Sequence, residues 1–210
     1  IEGYAFYNCS GLTSVTLPNS VTLIEYSVFE GCSGLTSITV PNSVTGIGSG
    51  AFKGCSSLTS VTLSNSVTLI EYSVFEGCSG LSSITIPNSV TGIEARAFEG
   101  CLGLTSIVWN TKNWNDDYSN PFDNICSQIT SFTFGENVQY IPAYLCYKMS
   151  KLTSITIPNS VTTIGVGAFQ YCSGLTSVTI GNGVATIEDR AFGGCSSLTS
   201  VTIGNSVKTI

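Results

Sequence analysis

Cysteine falls at positions 9, 32, 55, 78 and 101, every 23 residues, and again 23 apart at 172 and 195. Phenylalanine keeps the same beat at Phe6, Phe29, Phe52, Phe75, Phe98, Phe122, Phe169 and Phe192, with Leu145 read as filling the one missing slot. A leucine-type position follows suit: Leu12, Leu35, Leu58, Leu81, Leu104, Ile129, Leu152, Leu175 and Leu198. Seven of its steps are 23 residues long and one is 25. A period of this length is the mark of a solenoid, in which each unit is too small to bury its own apolar face and needs its neighbours. Nine units of one template cover residues 1–210, so a single domain without a linker is expected.

One unit, residues 35–57, shows the local structure. Leu35, Ile38 and Val40 are apolar, while Ser37 and Thr39 lie between them and face the other way, as a strand requires. Pro41, Asn42 and Ser43 then break the strand with turn chemistry. Ile47, Ala51, Phe52 and Cys55 stand at i, i+4, i+5 and i+8, the spacing of one face of a short helix or helical turn. The unit therefore predicts strand, turn, short helical segment, turn. Successive strands should pair in parallel, about 4.8 Å apart.

The template L-x-x-[IV]-x-[LIV]-P-x-x-V-x-x-I-x-x-x-A-F-x-x-C is clearest as Leu35–Pro41 followed by Ala51-Phe52-Lys53-Gly54-Cys55. It resembles the Treponema-type leucine-rich repeats of BspA-like surface proteins. The resemblance implies an α/β architecture: a right-handed leucine-rich-repeat solenoid with a parallel concave sheet and short helical or 3-10 segments on the convex side. It also implies display at a microbial cell surface or secretion, adhesion to host, matrix or other extracellular proteins, and no catalytic residues. Proline is replaced in its slot by Ser64, Asn110, Gly135, Gly181 and Gly204, and the unit after Trp109 loses its Val-x-x-Ile segment. Both ends of the sequence fall inside a unit, so a segment of a longer exported protein is expected. Residues 20–35 and 66–81 are identical, a trace of duplication.

Charge narrows the function classes. Seven Lys+Arg, thirteen Asp+Glu and no histidine give a net charge of -6, which argues against a phosphate-tracking nucleic-acid surface. A histidine-based triad or metal cage is excluded outright. No apolar run approaches the length of a membrane span, so no insertion is expected within this segment. No cofactor is expected, and the cysteines lack metal-ligand spacing. Stacked cysteines one strand spacing apart are too far separated, in parallel, for a disulfide and read as a reduced apolar column. Cys126 and Cys146, which leave the beat, are the one pair in which a bridge stays open.

Two surfaces are candidates for binding. The strand face carries a monotonous grid, a serine column from Ser14 to Ser200 beside a threonine column from Thr16 to Thr202 that only Val108 interrupts. It reads as a solvated β-surface with little information in it. Residues 108–126 are the idiosyncratic stretch, holding both tryptophans, Trp109 and Trp114, with Asp116, Asp117 and Tyr118. The next unit adds Tyr140, Tyr144 and Tyr147, with Lys148 and Lys151. Aromatic and charged side chains on loops favour contacts, while an irregular unit also needs larger side chains to fill its cross-section. These eight residues, Trp109 to Tyr147, are the candidate partner-binding set. The expected function is a non-catalytic surface binding or adhesion module, its partner a protein or a carbohydrate. A passive stalk presenting another domain is the alternative. An enzyme would need a cleft built on Asp116 and Asp117, and no nucleophile–base motif accompanies them.

Overall fold

The structure is a computed structural model and describes residues 1–112, 114 and 120–210. It is a parallel-strand solenoid with two ladders. The first is made of Ser37–Thr39, Ser60–Thr62, Ser83–Ile86, Ser106–Trp109, Ser131–Phe134, Ser154–Ile157, Ser177–Ile180 and Ser200–Thr202. Each strand pairs with a strand one coil away at the repeat offset, as in Ser37↔Ser60, Ser83↔Ser106 and Ser177↔Ser200. This ladder forms three separate sheets, broken between Ser60–Thr62 and Ser83–Ile86 and again between Ser131–Phe134 and Ser154–Ile157. Ile38, Ile84 and Val178 point inward while Ser37, Thr39 and Thr85 stand exposed, the alternation that a half-buried strand demands.

The second ladder lies where the sequence suggested the start of a helix. Leu23–Ile24, Gly46–Ile47, Leu69–Ile70 and Gly92–Ile93 pair in parallel, as do Tyr140–Ile141, Thr163–Ile164 and Thr186–Ile187. The residues after it bury the side chains that were expected, with Ala51, Phe52 and Cys55 wholly enclosed. Their backbone is not helical. Lys53 and Cys55 donate three residues back, to Gly50 O (3.0 Å) and Phe52 O (3.2 Å). Gly50, Phe52 and Gly54 donate instead to the next coil, at Tyr72 O (2.9 Å), Val74 O (3.0 Å) and Glu76 O (2.7 Å). Alternate N–H groups thus tie coil to coil, where an α-helix would turn all of them back on their own segment. Left-handed residues at Gly50 (φ 66°) and Gly54 (φ 72°) make this zigzag, and glycine suits both.

The 3-10 helix among the described residues, Asp123–Gln128, marks an insertion. Phe122 to Ile129 spans one residue more than Phe98 to Leu104, and the helix absorbs it. Gln128 seals the altered turn, its Nε2 donating to Cys101 O (2.6 Å) and Leu104 O (2.9 Å). The insertion also shifts the phase of the following coil. Cys146, not Leu145, occupies the phenylalanine slot there. Cys172 Sγ donates to Cys146 O (3.0 Å), as Cys195 Sγ does to Phe169 O (3.2 Å). Met149 stands where other coils have cysteine, and Leu145 where they have Ala51 or Ala168.

The core is a column of rings. Phe6, Phe29, Phe52 and Phe75 stack at centroid spacings of 5.3, 5.5 and 5.7 Å with interplanar angles of 3°, 7° and 6°. Phe98 and Phe122 extend the column, and Phe169 stacks on Phe192 at 5.1 Å. Where Cys146 breaks it, larger rings converge: Phe132 on Phe134 at 5.1 Å, and Phe134 edge-on to Phe169 at 6.2 Å.

Candidate functional site

The cysteine column is structural in geometry. All nine cysteines are free thiols, and Cys32, Cys55, Cys78 and Cys101 each donate Sγ–H to the carbonyl of a phenylalanine one coil back, at 3.1 to 3.2 Å. Burial pushes the thiols up, Cys55, Cys101 and Cys172 to about 12 and Cys78 and Cys146 well above their ordinary value. A buried thiol held protonated is a poor nucleophile. Iodoacetamide on the native protein at pH 8 should therefore label exposed Cys9 and spare Cys55, Cys78, Cys101, Cys146 and Cys172. Mass spectrometry of the labelled peptides checks this, and rapid labelling of Cys78 would contradict the sealed column. Cys126 sits on the 3-10 helix, also as a free thiol.

Much of the aromatic candidate set turns inward. Trp109 is fully buried, its ring 5.0 Å from Trp114, 6.2 Å from Phe122 and 6.4 Å from Phe132. An enclosed indole offers no surface to a partner, and Trp109 fills the cross-section of the irregular coil. Trp114 is half-buried and packs against the same core. Asp116, Asp117 and Tyr118 lie outside the described residues. Among the described residues no group of three or more Cys, Asp or Glu side chains could hold a metal ion.

The tyrosines of the following coil face outward. Tyr140 is half-buried at the start of Tyr140–Ile141, Tyr144 is 45% exposed, and Tyr147 is half-buried. Tyr144 and Tyr147 meet edge to face at 5.9 Å and 87°. Tyr147 meets Tyr171 of the next coil at 5.8 Å and 69°, and Tyr171 is 49% exposed. Lys148 Nζ stands 4.9 Å from the Tyr147 ring centroid. These rings form one ridge across two coils on the turn-bearing side.

The ridge residues sit at backbone positions that the repeat holds left-handed throughout. Tyr144 (φ 57°), Lys148 (φ 59°) and Tyr171 (φ 60°) are left-handed. The same slots are left-handed in the other coils: Tyr4, Ser27, Gly50, Ser73, Arg96, Gly167 and Arg190 share the Tyr144 slot, and Asn8, Gly31, Gly54, Gly77, Gly100 and Gly194 share the slot of Lys148 and Tyr171. A bulky residue costs about 1–2 kcal/mol at such a position. The sequence reading missed Tyr171; the signal was a tyrosine in a glycine slot, legible once the slots were aligned.

The strand face is as plain as its sequence. A groove of about 580 Å³ runs over its first coils, floored by Thr16, Ser37, Thr39 and Thr62 and walled by Leu17 and Pro41. No side chain there carries a charge.

A family signature described as "BspA type Leucine rich repeat region (6 copies)" matches residues 1–124 and 115–210. No curated protein matches the chain. Among solved structures, a leucine rich cell surface protein of Faecalibacterium prausnitzii is similar at 25% identity, over 96% of this chain and 68% of that one, with a TM-score of 0.46. A leucine-rich repeat protein of Bacteroides ovatus is similar at 26% identity, over 99% and 71%, with a TM-score of 0.48. A leucine rich repeat protein of T. pallidum is similar at 25% identity, over 90% and 66%, with a TM-score of 0.40.

Proposed function

The chain belongs to the BspA-type leucine-rich repeat family, and from that premise we propose that it is a non-catalytic binding module displayed at a cell surface or secreted, making contacts with host or matrix proteins. The observation that carries this reading is the outward tyrosine ridge, mounted on a frame whose interior is filled by stacked Phe and Cys. A frame tied together by two ladders holds outward side chains at fixed spacings, so a partner meets a preorganised array and little ordering cost is left to binding. Contacts extend from the irregular coil, with Trp114, Asp116, Asp117 and Tyr118, to Tyr140, Tyr144 and Tyr147. No helix among the described residues is long and apolar enough to cross a membrane.

The uniform Ser/Thr columns of the strand face favour the stalk as a second reading, since a spacer needs solubility and no information. Capture separates the two. The immobilised 210-residue chain should retain matrix proteins from extracellular fluid, and the pair of changes Trp114→Ala and Tyr118→Ala should weaken capture about tenfold or more. Binding is read by surface plasmon resonance on the purified captured protein. A chain that retains nothing is a stalk. Capture indifferent to both changes removes the irregular coil from the contact surface.

A further inference from the structure

We infer that the ridge of Tyr144, Tyr147, Tyr171 and Lys148 is a docking site for an acidic polysaccharide, a chain of sugars bearing carboxylate or sulfate groups. At this ridge alone the inference puts a polysaccharide in place of the protein contact proposed above, and it rests on that reading only for the display of the ridge to the outside.

Three observations converge. First, the rings are held in place. A Cβ on Gly167 would lie 2.5 Å from Tyr144 Cε1, and one on Gly194 would lie 2.5 Å from Tyr171 Cδ1. Each ring therefore rests on the bare glycine of the next coil, braced there and still about half exposed. Braced rings give up little freedom when a ligand settles on them. Second, polar residues neighbour the rings along the chain, Ser150, Gln170 and Ser173 with exposed Lys148 and Lys151, and the half-buried Val166 beside Tyr144 is a small apolar edge. The centre of a protein interface is apolar and poor in lysine. A sugar has the opposite needs, a C–H face to lie on an aromatic ring and hydroxyls to be met by amide and hydroxyl groups around it. Third, charge selects the kind of sugar. The chain carries a net charge of -6 and only seven Lys+Arg. Two of the seven lie within four residues of this ridge, Lys148 and Lys151, and Lys148 Nζ sits over Tyr147. Lys148 and Lys151 attract an anionic ligand locally, against the net charge of -6 and against the Glu188 carboxylate one coil on, whose Oε2 accepts from Val166 N beside Tyr144.

The repeat itself supplies variants that respect the fold. Ser27 and Ser73 occupy the Tyr144 slot in other coils, and glycine occupies the slot of Lys148 and Tyr171. Tyr144→Ser, Lys148→Gly and Tyr171→Gly thus use residues the repeat accepts in these slots, and the two glycine changes relieve left-handed strain. The full 210-residue chain is passed over immobilised alginate, heparin, neutral dextran and poly-L-glutamate. Retention is expected on alginate or heparin, weak on dextran and poly-L-glutamate, and reduced by added salt. The triple variant should lose about tenfold or more in affinity with a thermal midpoint at least as high as that of the parent. Lys148→Gln alone, which keeps the rings, should weaken binding and flatten its salt dependence. The inference falls if neither acidic polysaccharide is retained, or if the triple variant binds as the parent does. Equal retention on poly-L-glutamate assigns the ridge to an acidic protein and also overturns it. Capture of matrix proteins through Trp114 and Tyr118 is a separate readout and survives any of these failures.

Discussion

Replacing Phe75 by alanine should remove about 3–5 kcal/mol of stability and split a single unfolding transition into two. Phe75 is wholly buried, with Phe52 at 5.7 Å on one side and Phe98 at 5.6 Å on the other. Its ring can be replaced by nothing local, because the coil closes around it with Val74 and Cys78, both also fully enclosed. A solenoid is held together by nearest-neighbour interfaces, so a hole at one level weakens the coupling between everything on either side of it. Phe75→Leu retains much of the volume and should cost about 1.5 kcal/mol or less. Phe6→Ala offers the internal comparison, since Phe6 is 38% exposed and has one ring neighbour, Phe29, within the column. Urea unfolding followed by circular dichroism measures all three. A Phe75→Ala cost no greater than that of Phe6→Ala would mean that the stacked rings do not couple the coils.

The strand half of each unit was legible because its chemistry has a single solution. Ser37-Ile38-Thr39-Val40 alternates polar and apolar residues and ends at Pro41, and the structure places a buried side chain at Ile38 between two exposed ones. The turn half was legible in its side chains and not in its backbone. Ile47, Ala51, Phe52 and Cys55 have the spacing of a helix face, yet a chain that closes a turn every three residues and bonds sideways buries the same four positions. Periodicity reports which side chains go in, not where the N–H groups go. The phase of the coil at 140–152 was hidden for another reason: counting forward from Phe122 gives Leu145, and counting back from Phe169 gives Cys146. The hydrogen bonds decide between them: Cys172 Sγ donates to Cys146 O, and Cys146 N donates to Ala168 O as Phe29 N does to Ala51 O. Of the two roles open to Trp109 in the sequence, contact residue or filler of the irregular cross-section, the structure shows the filler, in register with Ile86 and Phe134.

The cysteine column makes stability fall steeply in alkali. Burial, the leading cause, holds Cys55, Cys101 and Cys172 protonated up to about 12, against an ordinary value of 9.0 for the thiol. The neighbouring thiols Cys32 and Cys195 push Cys55 and Cys172 further in the same direction. With the folded value raised, the native protein keeps its protons while the unfolded chain gives them up. The stability these thiols lend is complete below pH 9 and drains away as the pH rises from 9 toward 12. By pH 11 each thiol has withdrawn on the order of 2–3 kcal/mol, and the three together several kcal/mol (~8). Cys78 and Cys146, raised in the same direction, add to the loss. A loss of that size equals the whole margin of an ordinary domain, about 5–15 kcal/mol. Under reducing conditions, the urea midpoint should thus be flat from pH 7 to 8.5 and collapse between pH 9.5 and 11 (the range follows from the shifts above). Cys55→Ala with Cys101→Ala and Cys172→Ala should start from a lower stability, having lost three Sγ–H···O bonds, and then fall less steeply with pH. Parallel slopes for parent and triple variant would show that the thiols do not carry the alkaline transition. The contrast would then have to be sought in other groups, and the sealed cysteine interior would lose its clearest solution signature.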